Sequence, residues 1–391
     1  MANLFQTLSF SSDTASTNSR HAPNIVLPGG ISSAFSRSAD TLLMWANNER
    51  FFIRCLLPEL ERSVIQLDGG DSIHGIAESG GTIAIVVTRA DATALLVTID
   101  VAQFQSDNSN GRSRFPLQRT GVDVSSPLCL SISANGRLVA VGFGENAVLV
   151  TLDVPEQSRY AWFTVKTPQT TERVGFQVCS FSSSPDDETL VFSTHMKIRG
   201  GVPHGTRDDT VYTSFWPTTT RPDNSARTEL ATCQILTSGI GLTTVHYSPT
   251  HQTAFVTAFT DHPTYKVFLG LDGVSWDAPS SSNLKIPCAA ALESKVYFAD
   301  NTNALWWADM RARTLRPISK GWLKRVKKKL DTGEQIASIG ITTAQPTRPA
   351  LLRCLCKKRH RLRYLQTPVQ DGTGDAGFVL EDITSFWGVR R

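Results

Sequence analysis

The stretch Cys129–Val154 reads CLSISANGRLVAVGFGENAVLVTLDV. It holds one apolar strand, the turn Ser133–Gly136, a second apolar strand, the turn Gly144–Asn146, and a third strand. Asn and Gly supply the backbone freedom at which a hairpin reverses, and short apolar runs bounded by such residues are the mark of buried strands. Working outward, the same order returns as AFSRSADTLLMWANNERFFIRCLL from Ala34 and GIAESGGTIAIVVTRADATALLVTID from Gly75. It returns again as CSFSSSPDDETLVFSTH from Cys179 and VHYSPTHQTAFVTAFTDHPTYKVFLGL from Val245. The last copies are CAAALESKVYFADNTNALWWADM from Cys288 and IASIGITTAQPTRPALLRCLCKKRHRLRYL from Ile336.

Taking the apolar residue just before each first turn as the anchor gives Phe35, Ala77, Ile132, Phe181, Tyr247, Ala291 and Ile341. The steps between them are 42, 55, 49, 66, 44 and 50 residues. A repeat of about 40–50 residues with about four strands is the signature of a β-propeller. The spacing therefore predicts an all-β, seven-bladed β-propeller with four-stranded antiparallel blades, six or eight blades remaining possible. No blade buries its faces alone, so residues 1–391 are expected to form one cooperative domain. Within it, residues 1–24 read as an N-terminal strand (Leu4 to Phe10, helping to close the ring) and a flexible segment. The long 66-residue step marks an insertion, residues 197–228, read as long loops flanking the strand Val211 to Trp216. Gln105 to Arg114 and Ala278 to Asn283 read as further loops.

The layout of strand, Ser, turn, strand, turn, strand and then Asp resembles the WD-repeat family. Asp100, Asp153 and Asp309 stand where that family's Trp-Asp dipeptide ends a strand, preceded here by Ile99, Leu152 and Ala308. The family's Trp and its Gly-His dipeptide are absent. The resemblance covers most of the chain in layout and implies a ring that holds partners. A regulator-of-chromosome-condensation type of propeller has blades of similar length, but its Gly-rich signature is missing as well.

The charge is unevenly spread. Residues 311–363 hold 16 Lys and Arg against the acids Asp331 and Glu334, a net charge of +14. The rest of the chain carries 23 basic and 33 acidic residues, a net −10. Such asymmetry favours an acidic partner. In the first basic cluster, Lys320, Trp322, Lys324, Arg325, Lys327, Lys328 and Lys329 fall on a stretch predicted to be a short helix near 320–330. The second, with Lys357, Lys358, Arg359, Arg361 and Arg363, reads as a hairpin whose tip holds Lys357 to His360. These twelve residues are the candidate contacts to a partner protein or to nucleic-acid backbone. Aromatic residues are sparse in both clusters, which favours backbone or acidic-protein contact over base readout.

No Gly-x-x-x-x-Gly-Lys loop, Gly-x-Ser-x-Gly elbow or His-Glu-x-x-His motif is present. The eight histidines are scattered singly, and His246, His251 and His262 read as turn residues. Asp40, Glu78, Asp186 and Glu293, near one recurrent turn, read as turn chemistry. The seven cysteines are mostly isolated in apolar runs. Cys354 and Cys356 share one strand face, and with His360 they lack a fourth metal ligand. The sequence therefore predicts no catalytic residues, no cofactor and no metal. No run of 18 apolar residues or secretory leader appears, so no membrane span is expected. The expected setting is intracellular, cytoplasmic or nuclear, with a mitochondrial location a weak alternative. The predicted role is a non-catalytic scaffold or adaptor subunit whose partners are other protein subunits of a larger complex. The alternative is a propeller that grips RNA or DNA backbone through its basic C-terminal blades.

Overall fold

Runs such as Thr41–Ala46 (TLLMWA) are buried at every position, which a strand achieves only when both its faces are covered. The computed structural model shows how. It describes residues 30–46, 49–67, 72–106, 111–124, 127–143, 146–164, 171–181, 189–198, 208–217, 228–236, 241–248, 251, 253–259, 266–270, 275–277, 288–292, 294–299, 303–317, 330–343, 350–359, 361–369 and 379–387. These form seven four-stranded antiparallel sheets.

The first sheet comprises β1 (Ile31–Phe35), β2 (Thr41–Ala46), β3 (Phe51–Leu56) and β4 (Glu61–Gln66). The second has β5 (Ser72–Ser79), β6 (Thr82–Thr88) and β7 (Ala94–Asp100), then helix α1 (Val101–Ser106) and β8 (Arg112–Pro116). The third has β9 (Pro127–Ile132), β10 (Leu138–Phe143), β11 (Asn146–Thr151) and β12 (Tyr160–Thr164). The fourth has β13 (Thr171–Phe181), β14 (Thr189–Ile198), β15 (Asp208–Pro217) and β16 (Thr228–Leu236). The fifth has β17 (Gly241–Ser248), β18 (Thr253–Phe259), β19 (Lys266–Gly270) and β20 (Ser275–Asp277). The sixth has β21 (Cys288–Leu292), β22 (Lys295–Ala299), β23 (Leu305–Asp309) and β24 (Thr314–Pro317). The seventh has β25 (Gln335–Ile341), β26 (Leu351–Lys358), β27 (Arg361–Pro368) and β28 (Val379–Asp382). Five sheets are described with most of their side chains; the fourth and fifth are described chiefly through their strand pairing.

In each sheet the first strand lies against the first strand of the next, and β25 returns to β1. The result is a β-propeller. All seven anchors read from the sequence fall on these innermost strands, at or within two residues of their ends. The core follows the strand period of two. Along β2, Leu42 and Met44 pack towards the seventh sheet, whereas Leu43 and Trp45 pack towards the second. Along β6, Ile83, Ile85 and Val87 face the first sheet and Ala84 and Val86 the third. Each core cluster thus straddles two neighbouring sheets, and burying each Leu or Ile there contributes about 1.5–3 kcal/mol.

Turns add polar links. Ser133 Oγ donates to Asn135 Oδ1 and accepts from the Leu138 amide, closing the turn after β9. Gly136 sits there at φ +74°, and a Cβ on it would lie 2.7 Å from Ser79 O of the second sheet. Ser79 Oγ in turn donates to Ala134 O.

At the seam between the seventh and first sheets the link is made by side chains. Ser33 Oγ donates to Ser338 Oγ (2.9 Å), Arg353 Nη1 to Ala39 O (2.6 Å) and Arg62 Nη1 to Ser385 O (3.0 Å). Phe51 meets the ring of Trp387 at 5.5 Å. Among the described residues each sheet takes its four strands consecutively from the chain.

Several sequence readings change. The segment around Gln105–Arg114 contributes helix α1 and the start of β8. Within 197–228, a strand longer than expected, β15, runs from Asp208 to Pro217. The expected N-terminal strand at Leu4–Phe10 and the helix near 320–330 lie outside the described residues, as do Asp186, Glu293, His262 and Ala278–Asn283. Cys354 and Cys356 do share one face, packed into the cluster between the sixth and seventh sheets, and Cys55, Cys129, Cys354 and Cys356 are free thiols.

Candidate functional site

Strands β26 and β27 form the predicted basic hairpin, with Lys357 opposite Leu362 and Lys358 opposite Arg361. Two cations directly across a strand pair repel one another. Acids from other segments offset this. Arg361 Nη1 bonds Asp331 Oδ2 and its Nε bonds Asp382 Oδ2, each at 2.8 Å. Asp382 also accepts from the Thr384 hydroxyl and amide. Burial opposes ionisation of Asp382, but these donors and Arg361 hold its carboxyl below the usual range.

Arg363 stands apart from the exposed set. It is 7% exposed, and its guanidinium forms a two-pronged pair with the buried Glu334. It shares a strand face with the exposed Arg361 but lies one step further along β27, where Glu334 covers it, so it anchors the segment before β25 and cannot meet a partner's surface. Arg353, another of the cations in the basic stretch, is buried too and bonds Gln366 as well as Ala39 O. Lys357 is half-buried and reaches Ile31 O at 3.4 Å. Lys358 is half-buried, and Arg359, at φ +39°, is exposed at the turn. The sequence gives no means of separating these roles, because Glu334 lies 29 residues before its partner.

Lys320, Trp322, Lys324, Arg325, Lys327, Lys328 and Lys329 lie outside the described residues. The chain on either side is described. β24 ends at Pro317, and Leu330 packs against the cluster between the sixth and seventh sheets. Asp331, next in sequence, is the residue that holds Arg361.

A second feature is the central channel. A cavity of about 290 Å³ is lined by the innermost strands of all seven sheets and by the turn after β1. Its walls are mostly Ala, Ile, Leu and Phe, with Arg37, Glu78 and His246 as the charged or titratable members among the described residues. The Arg37 amide is fixed on Glu78 O (2.9 Å), and Nη1 reaches Ile132 O at 3.4 Å. Glu78 is no turn residue. Its carboxylate accepts three bonds from Arg54 and one from Thr41. His246 likewise belongs to the channel wall, where burial and then the Arg37 charge push its ring down to about 4. Among the described residues, no three His, Cys, Asp or Glu side chains group as a metal site requires. No described helix is long and apolar enough to cross a membrane.

Asp100 and Asp309 close strands as expected and cap the turns that follow, accepting from the amides of Gln103 and of Arg311 and Ala312. Asp153 lies two residues beyond β11 and pairs with Arg137.

No family model matches the sequence, and no curated protein matches it. Solved structures do. The chain is similar to hydrazine synthase from Kuenenia stuttgartiensis, at 12% identity and a TM-score of 0.53, over 91% of this chain and 100% of that one. The likeness is one of fold. It is also similar to Hsv2 from Kluyveromyces lactis, at 14% identity and a TM-score of 0.49, over 90% of this chain and 97% of that one.

Proposed function

We propose that this propeller, of a degenerate WD-repeat type, is a non-catalytic scaffold or adaptor subunit that docks other protein subunits of an intracellular complex. The observation that carries the reading is the hairpin at Lys357–Arg361. Arg361 and Arg363 on its second strand are held by Asp331, Asp382 and Glu334, and Arg359 is exposed at the end of the first. Strands already held in place by these ion pairs need little further ordering on docking, which suits recognition of an acidic surface. The burial of Arg353 and Arg363 reduces the cations available to a phosphate backbone and favours an acidic protein over nucleic acid. The contacts proposed are Lys357, Lys358, Arg359 and Arg361, together with Lys320, Trp322, Lys324, Arg325, Lys327, Lys328 and Lys329.

The test is gentle affinity purification of the tagged chain from its own cells, with and without nuclease, beside the variant Lys358→Glu/Arg359→Glu. Protein partners that survive nuclease and are lost from the variant support the reading. Partners lost with the nucleic acid point instead to backbone binding. Partners retained in full by the variant exclude the hairpin as the dock.

A further inference from the structure

Away from the hairpin, two cations of the sixth sheet gather on one indole. Trp307, on β23, pairs with Tyr297 of β22 and with Arg316 of β24. Its ring is half-buried against the cluster between the sixth and seventh sheets. Lys295 Nζ, from the start of β22, stands 4.7 Å from the ring centroid, and the Arg316 guanidinium stands 5.6 Å from it. Both side chains are exposed, and among the described residues neither forms an ion pair. Asp309 lies directly across from Lys295, but its Oδ1 accepts from the amides of Arg311 and Ala312. The exposed Arg311 adds a third cation in the turn after β23, so this rim carries more positive than negative charge. An indole face attracts one cation, whereas two cations drawn to the same ring also repel each other. A negative group set between them removes that repulsion.

We infer that this rim of the sixth sheet binds an extended acidic segment of a partner protein, a Glu-x-Glu stretch with one carboxylate on Lys295 and the next on Arg316. Alternate residues of an extended chain point to the same side, about 6.6 Å apart, a spacing open to two cations that share one ring. The Arg316 guanidinium takes its carboxylate in a planar fork, and the Lys295 ammonium takes the other as a compact charge. The aliphatic stems of the two glutamates rest on the outer edge of Trp307. The ring argues against nucleic acid here. Bases stack on open aromatic faces, but cations from both neighbouring strands stand over this indole. The inference rests on the reading of an acidic protein partner, though not on the basic hairpin, which belongs to another sheet.

The experiment is NMR of the full chain labelled at its tryptophan indole nitrogens, with the Trp307 signal assigned from Trp307→Phe. The probes are a hexapeptide of alternating Glu and Ala, its counterpart of Gln and Ala, and oligothymidylate. The expected result is a saturable shift of the Trp307 signal with the Glu peptide and at least tenfold weaker binding of the Gln peptide. Lys295→Gln/Arg316→Gln, altered at exposed positions, is expected to weaken the Glu peptide at least tenfold at this signal. Lys358→Glu/Arg359→Glu is expected to leave the Trp307 response unchanged, so this site and the hairpin stand or fall separately. No saturable Trp307 shift with the Glu peptide, equal binding of the two peptides, or a stronger response to oligothymidylate overturns the inference without any variant. An undiminished response in Lys295→Gln/Arg316→Gln, or one lost from the hairpin variant, also overturns it.

Discussion

Replacing Arg54 by Met tests the ion pair that joins the first and second sheets. Both partners are nearly inaccessible, Arg54 at 9% and Glu78 at 7%. Three contacts of 2.6–3.2 Å join them, and the Glu78 carboxylate also accepts from Thr41 Oγ1 at 3.4 Å. Arg54→Met therefore leaves a buried carboxylate with one long hydrogen bond in place of four. Removing one partner of a buried pair costs about 3–5 kcal/mol, a large part of the roughly 5–15 kcal/mol that holds a domain folded. The double variant Arg54→Met/Glu78→Met removes both charges and restores an apolar interface, so it is expected to lie within about 2 kcal/mol of the parent. The assay is urea unfolding at pH 7 followed by tryptophan fluorescence, analysed as a double-mutant cycle. A loss below about 1 kcal/mol for Arg54→Met, or a double variant as unstable as the two single ones added, would refute the reasoning.

Three further outcomes are expected. Gly136→Ala places a Cβ 2.7 Å from Ser79 O at a backbone φ of +74°, whereas Gly81→Ala, at φ +77°, meets nothing within 4 Å. The second should cost about 1–3 kcal/mol of backbone strain alone, and the first distinctly more, read from urea midpoints of the two variants. Cys55, whose thiol burial pushes up to about 12, should resist iodoacetamide at pH 8.5 in the native chain and react on unfolding. Asp40 and Asp382 are held below the usual carboxylate range: burial opposes this, but the hydroxyls of Ser38 and Ser36, and of Thr384, outweigh it. A folded-state value below the unfolded one stabilises at neutral pH, and that stability is lost as pH falls below about 4. Asp40→Asn should flatten the fall in thermal midpoint between pH 5 and pH 2 on the order of one carboxylate's share; an unchanged slope would exclude this role.

What could be read from the chain was set by where packing dominates. The innermost strands and their turns were legible because Phe35, Ile132, Phe181 and Ile341 stand at strand ends on the ring axis, and turn chemistry such as Ser133–Asn135 is local. The outer strands were not. β4 (ERSVIQ), β8 (RSRFP) and β24 (TLRP) carry mixed, half-exposed residues with no clear alternation, as suits short strands at sheet edges. The basic hairpin was legible as a hairpin, but not the sorting of its charges. Arg363 and Arg359 are four positions apart, and only the three-dimensional placement of Glu334 makes one a buried anchor and the other an exposed contact. His246 and Glu78 carry turn-like sequence surroundings, and nothing local distinguishes a turn from a channel wall.

The seam between the seventh and first sheets has a mechanical consequence. Within a sheet, neighbouring strands share a backbone ladder, but among the described residues this joint is crossed by side chains: Ser33 to Ser338, Arg353 to Ala39, Arg62 to Ser385 and the ring of Phe51 on Trp387. Tension applied between residues 31 and 387 therefore loads packed faces rather than a zipper of amides. Under load the annulus should spring open at this joint, as a clasp does, with its individual sheets still woven, and a force-extension trace would show one early rip followed by successive ones as each sheet unravels.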